Sequence, residues 1–339
     1  MFKIGLIGAG MMGGVHASCY HKLEALGVKV TAVADITEGR AGKLAELSGA
    51  ETYGSGFDLI EKADVDAIDI CLPTYLHTRH ALAAMDKGRA VFIEKPVCLT
   101  RAEGLALLEK QRQTGVQVMV GQCLRFWNEY VWLKQAADDG RYGQIQSGVF
   151  QRLSALPSWS WENWLNRAEC SGSMAQDMHI HDTDFIRYLM GEPTGIHTAA
   201  TRDESQTINH IFTTYHYPSA VLFAEGVWDY PAGFPFGMGY RVKFARATAV
   251  FDSNTSPSLV VYQDDGQKVV PELNKLILDN QTSAGNLSDQ GGHFNELNYF
   301  VTRLIAGESI EEAALAEGVR SLDLVLDEIE SVGGARLNP

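Results

Sequence analysis

Short apolar runs and amphipathic helical stretches alternate along the first third of the chain. Residues 3–7 form an apolar, strand-like run, followed by a glycine-rich turn and a helical pattern through Leu26. Similar runs recur at 28–34, 67–72, 90–93 and 116–120, with helical periodicity at 38–47, 78–87 and 102–114. Strands that are apolar throughout, each followed by an amphipathic helix, predict a parallel, doubly wound α/β sheet, because such strands are covered on both faces. After Gly121 the pattern changes. A helix at 129–138 precedes strand-like runs at 144–153, 197–201, 207–217, 220–228, 239–245, 248–252 and 259–262. Turn signals at 217–219 and 264–266 fit hairpins, so this part reads as α+β with a mainly antiparallel sheet. Helical stretches at 287–306 and 310–331 close the chain.

A further helical stretch, 173–188, carries the densest set of groups able to move a proton. Asp177, His181 and Asp184 fall at i, i+4 and i+7 on one face, while Met178, Phe185 and Leu189 form an apolar stripe. Gly191 and Pro193 supply the stop. An imidazole one turn from a carboxylate suits a general base; the same spacing also describes a solvated polar face.

Composition narrows the function. The 339 residues suffice for two domains, and the 28 Lys and Arg against 42 Asp and Glu leave a net charge of −14. That charge argues against a nucleic-acid or anionic-membrane partner. Cys19, Cys71, Cys98, Cys123 and Cys170 lack metal-type spacing and read as reduced core residues. No apolar run reaches membrane-spanning length and none precedes Lys3 as a signal peptide would, so the expected location is cytoplasmic.

The first turn is G-x-G-x-x-G: Gly8, Gly10 and Gly13, with Met11 and Met12 between the last two, placed directly after a strand and opening a helix. Gly8 makes the turn, Gly10 admits a pyrophosphate, and Gly13 lets helix and strand approach, with the helix N-terminus facing the anion. The second strand ends at Asp35, where an acid binds the adenosine ribose diol and disfavours a 2′-phosphate. The expected cofactor is therefore NAD, with NADP possible through Arg40. Ligands of such sheets lie beyond the carboxyl ends of the strands. Leu72, Pro73, Thr74 and His77 after one strand, and Glu94 and Lys95 after another, are accordingly cofactor-site candidates, with Gln122 beyond the last.

The glycine fingerprint followed by His16, the 71–77 segment, the Glu94-Lys95-Pro96 tripeptide and the Asp177, His181, Asp184 spacing resemble the glucose-fructose oxidoreductase and inositol dehydrogenase (Gfo/Idh/MocA) family over nearly the whole chain. The resemblance implies a dinucleotide-binding Rossmann domain at 1–123. It also implies a substrate-binding and oligomerisation domain at 124–339, whose large open sheet pairs subunits into a homodimer or homotetramer. It makes Lys95, Asp177 and His181 the catalytic set of an NAD(P)-dependent dehydrogenase acting on a secondary hydroxyl of a cyclic polyol or sugar. A redox-assisted glycosidase or lyase that recycles NAD, and a non-catalytic NAD-binding sensor, are the alternatives. His179 stands where the family often has glycine, which suggests a substrate contact, although a histidine satisfied in the core is the competing reading. Arg152, Trp164 and Trp228 are further substrate-site candidates, aromatic faces being suited to sugar rings. Asp229, His293 and Glu296 are weaker pocket candidates. No metal is expected, since H-x-H spacing at His179 and His181 points the two imidazoles apart on a helix.

Overall fold

The computed structural model describes residues 1–273 and 291–332 and the backbone of Ala335–Leu337. The start of the helix expected at 287–306 lies outside the described residues. Two compact units emerge: Met1–Phe126 with Ile277–Leu322, and Trp127–Leu276 with Asp323–Pro339.

In the first unit, β1 (Phe2–Ile7), α1 (Met11–Lys22), β2 (Val28–Ala34), α2 (Arg40–Ala45), β3 (Glu51–Tyr53), α3 (Gly56–Lys62), β4 (Ala67–Ile70), α4 (His77–Asp86), β5 (Ala90–Glu94), α5 (Arg101–Thr114) and β6 (Val118–Gly121) alternate. The strands form one parallel sheet in the order β3-β2-β1-β4-β5-β6. This is the dinucleotide-binding order, and its direction reverses between β1 and β4. Local signals set the helix ends: Ser55 caps α3, and a capping box of Thr100 with Glu103 opens α5, which stops at Gly115 with φ 68°. The sequence pattern does not show β3 and α3. β3 has three residues at the sheet edge, two of them exposed, and α3 is too short to display a helical period.

The far end of the chain is divided between the two units. Helix α9 (Gly291–Ala306) buries Leu297, Phe300 and Val301 in one core with Ile4, Leu6 and Phe92 of the first unit. Its amphipathic period dictates that one face is buried, not against which partner.

The second unit begins with α6 (Asn128–Asp138) and β7 (Ile145–Ala155), followed by α7 (Ala168–Ser171) and α8 (Ile180–Met190). Strands β8 (Gly195–Arg202), β9 (Ile208–Tyr217), β10 (Ala220–Tyr230), β11 (Gly237–Phe244), β12 (Ala247–Asp252), β13 (Leu259–Gln263) and β14 (Lys268–Val269) follow. After α9, helix α10 (Leu315–Glu330) and β15 (Ala335–Leu337) end the described chain. Nine strands make one sheet in the order β14-β13-β12-β11-β7-β10-β9-β8-β15. Only β7 and β10 pair in parallel, so the sheet is mixed but mainly antiparallel. Its inner face packs on the helices through Tyr130 of α6, Phe185 of α8, Phe150 of β7, Tyr240 of β11 and Phe251 of β12. No helix among the described residues is long and apolar enough to cross a membrane.

Candidate active site

The nucleotide side is built at the carboxyl ends of β1 and β4. Gly8 has φ 100°, and a Cβ there would strike the Cys71 carbonyl; a Cβ on Gly13 would strike the Gly8 carbonyl oxygen. Around Gly10 nothing lies within 4 Å of an added Cβ, leaving open space where a phosphate would approach. Helix α1 opens there with no side-chain cap and no acid in its first turn, so its N–H groups and positive dipole end suit an anion. Asp35 shapes this loop, its Oδ2 accepting from Ala9 N at 2.8 Å and its Oδ1 from Thr37 N at 2.7 Å. Met11, Met12 and Arg40 are half-buried beside it, Met12 packing against the core.

Two polar side chains at the other strand ends add a second sign of a ligand. Thr74 Oγ1 and both amide atoms of Gln122 are buried without a hydrogen-bond partner. Burying such groups unpaired costs about 1–3 kcal/mol each, which a bound polar molecule would offset. Leu72 and Pro73 stand half-buried next to Thr74. These features fit a dinucleotide.

Two of the expected cofactor-site residues have partners within the unit. The His77 ring nitrogens face the carbonyl oxygens of Pro96 at 2.9 Å and Leu72 at 2.7 Å, so the ring staples the loops after β4 and β5 together. Burial holds its pKa below the ordinary value. Glu94 likewise turns inward. Its Oε2 accepts from Lys95 N at 3.1 Å, and its Oε1 stands 3.0 Å from His16 Nε2, an ion pair rather than an aligned hydrogen bond. Lys95 itself is half-buried.

Behind Glu94 lies a buried polar cluster. His16 Nδ1 meets Asp69 Oδ2 at 2.8 Å, with Cys71 Sγ 3.2 Å away, and His293 Nδ1 meets Glu296 Oε1 at 2.9 Å. His293 and Glu296 thus sit in the first unit, paired with each other. Asp69 escapes sequence reading as a site residue. The available signal was an acid within the wholly buried run of β4.

In the second unit, 173–190 is not one α-helix. A π turn over Ala175–His179 leads into α8, after Ser173 at φ 65°, and the helix ends at Gly191 with φ 81°. Asp177 and His181 are half-buried, whereas Asp182, Thr183 and Asp184 are buried, so the solvated-face reading fails. His179 is wholly buried with Nε2 2.9 Å from Glu328 Oε2, again off the hydrogen-bond axis. Glu328 also accepts from Tyr215 Oη at 2.8 Å, Thr183 Oγ1 at 3.1 Å and Thr213 Oγ1 at 3.2 Å. Gly226 makes the room, because a Cβ there would come 2.9 Å from His179 Nδ1. Of the two readings of His179, this burial and the Glu328 partner favour the histidine satisfied in the core.

Trp228 is buried in the same way. It is 2% exposed, packs with Leu165, Met174 and Ile211, and donates Nε1–H to Asn209 Oδ1 at 2.7 Å. Trp164 packs half-buried on the same cluster. Arg152 is buried, with Nε donating to Asp182 Oδ2 at 3.1 Å, so its charge is engaged inside the fold.

Comparison with known proteins adds a second line. A family model described as an oxidoreductase family, NAD-binding Rossmann fold, matches residues 2–122, and a GFO/IDH/MocA C-terminal domain matches 130–248. Inositol 2-dehydrogenase of Rhizobium meliloti (strain 1021) is 35% identical over 345 residues, covering 98% of each chain. The myo-inositol 2-dehydrogenase of Thermotoga maritima is 31% identical over 192 residues, 56% of this chain and 55% of that protein. The solved structure of levoglucosan dehydrogenase with NADH and levoglucosan superposes with a TM-score of 0.85 over 100% of this chain and 99% of that one. At 19% identity, that likeness shows the fold alone.

Proposed function

Since this chain belongs to the Gfo/Idh/MocA family of NAD-binding oxidoreductases, we propose that it oxidises a secondary hydroxyl of a cyclic polyol, with inositols the first class to test. The observation that carries the substrate class is the full-length similarity to an inositol 2-dehydrogenase. A bound nicotinamide would supply the hydride acceptor. The chain supplies the rest. The carbinol carbon gives up its hydride, the hydroxyl proton goes to His181 as general base, and the C–O bond becomes a carbonyl. Lys95 stabilises negative charge developing on that oxygen, and Asp177 orients the substrate. Asp35, accepting from the ribose hydroxyls, favours NAD over NADP.

The test is a screen of inositols, aldoses and glycosides with NAD and NADP, read as absorbance of reduced cofactor. Oxidation of an inositol with NAD is the expected result. Release of aglycone from glycosides without net cofactor reduction would point instead to the redox-assisted glycosidase. Lys95→Ala and His181→Ala should each slow turnover about 10²-fold or more while leaving NAD binding nearly intact. Wild-type turnover by His181→Ala with saturating substrate would remove it as the base.

A further inference from the structure

We propose that His16 is a positioning residue for Lys95, holding the main chain of the lysine in place through the Glu94 carboxylate. The inference rests on the role assigned above to Lys95. His16 lies on α1 three residues after Gly13, so the helix that opens at the nucleotide loop also carries the imidazole. One ring nitrogen is bound to Asp69 at 2.8 Å and the other stands 3.0 Å from Glu94, whose second oxygen takes the Lys95 N–H at 3.1 Å. His16 and Asp69 are 0% exposed and Glu94 6%, so water cannot replace a missing partner without the interior opening. An imidazole set between two carboxylates fixes both, and Glu94 in turn fixes the amide at the head of Lys95. Gly121 of β6 leaves space for this, since a Cβ there would already touch the Glu94 carboxyl carbon at 3.4 Å.

The groups facing Glu94 are His16 on α1, Asp69 and Cys71 on β4 and its end, Lys95 beside it, and His293 and Glu296 on α9. Burial works against the ionised carboxyl, yet His16, joined by His293 and Lys95, holds Glu94 down to about 2. Burial also works against a charged His16, but Asp69 and Cys71 carry its pKa well above the ordinary value. Burial raises Glu296 to about 7 against the pull of His293, so the cluster carries less negative charge than its count of acids implies. The His16–Glu94 and His293–Glu296 approaches, 3.0 and 2.9 Å, are closer than the roughly 3.3 Å between two ligands on a tetrahedral zinc with bonds near 2.0 Å.

Removing the imidazole leaves Glu94 with burial and weaker help, so its carboxyl should titrate at higher pH and release Lys95 when protonated. His16→Asn should therefore lower kcat at least tenfold, with KM for NAD changed less than threefold. Its rate should fall at a higher pH than wild type as pH decreases. In His16→Asn/Glu94→Gln nothing titrates at position 94, so the pH profile should return to the wild-type position while kcat stays low. On a Lys95→Ala background, His16→Asn should add no further loss, whereas a general weakening of the fold would add. If His16→Asn does not fold, Glu94→Gln alone carries the test, and the same loss of kcat is expected. A kcat within twofold of wild type for either single variant, or fully additive loss with Lys95→Ala, overturns the proposal. If Lys95→Ala itself retains turnover, the role of the lysine fails first, and the two failures are thereby separated.

Discussion

At Asp35 the carboxylate holds the loop: two of its lone pairs accept from Ala9 N and Thr37 N, which leaves others for the ribose contact proposed above. Asp35→Ser should lower kcat/KM for NAD by about tenfold or more, the loss of one charge-assisted hydrogen bond, and shift preference towards NADP. A wild-type specificity constant higher for NADP than for NAD would contradict this assignment. His179 teaches the opposite lesson. Because its ring is walled in by Glu328 and Gly226, His179→Gly would leave a void and take the imidazole away from a buried carboxylate. The cost should be about 2–4 kcal/mol, seen as a lower denaturation midpoint. KM should not move. A raised KM with an unchanged midpoint would return His179 to the substrate pocket.

Elements meet most tightly where α1 leaves β1. Gly13 has no room for a side chain against the Gly8 carbonyl, and both atoms belong to backbone that cannot give way. Gly13→Ala should thus push α1 off the loop, cost about 1–3 kcal/mol and weaken NAD binding measured by calorimetry. Gly42 in α2 is the control, with nothing within 4 Å of its added Cβ. Gly42→Ala should stabilise by about 0.5–1 kcal/mol and leave NAD affinity unchanged. Equal effects of the two substitutions would show that helix propensity, not close approach, governs the loop. The π turn at Ala175–His179 belongs to this scale too, because π turns inside helices often mark functional sites. Asp177 and His181 flank its C-terminal part and remain half-buried, while His179 between them turns into the core.

At the scale of the molecule, the outer face of the nine-stranded sheet carries exposed and half-buried apolar residues among the described residues of the second unit. Along β10, Leu222 and Ala224 face inward, while Val221 is exposed and Phe223 half-buried, its ring 6.0 Å from that of Phe212 on β9. Val149 and Leu153 on β7 share the half-buried positions. We propose this face as the subunit contact of a homodimer or homotetramer. Phe223→Asp should then shift the sedimentation mass to the monomer without unfolding the chain. A wild-type chain that already sediments as a monomer would refute the contact.

Much of the first unit was legible because its determinants are local. Apolar runs and the glycine spacing act within one strand-turn-helix, where a positive φ or a close backbone approach demands particular residues, and Asp35 follows the very next strand. Family resemblance extended that reading to Lys95, Asp177 and His181. Partnerships between distant residues were not legible. Asp69, Glu94, His293 and Glu296 converge on His16 only because β4 and β5 are adjacent and α9 packs on the same unit. Glu328 reaches His179 only because the end of α10 lies in the second unit, which gives that histidine a core partner. Periodicity tells each segment which face to bury. The choice of what that face is buried against is made by three-dimensional packing, which also decided that His77, Trp228 and Arg152 would brace the fold.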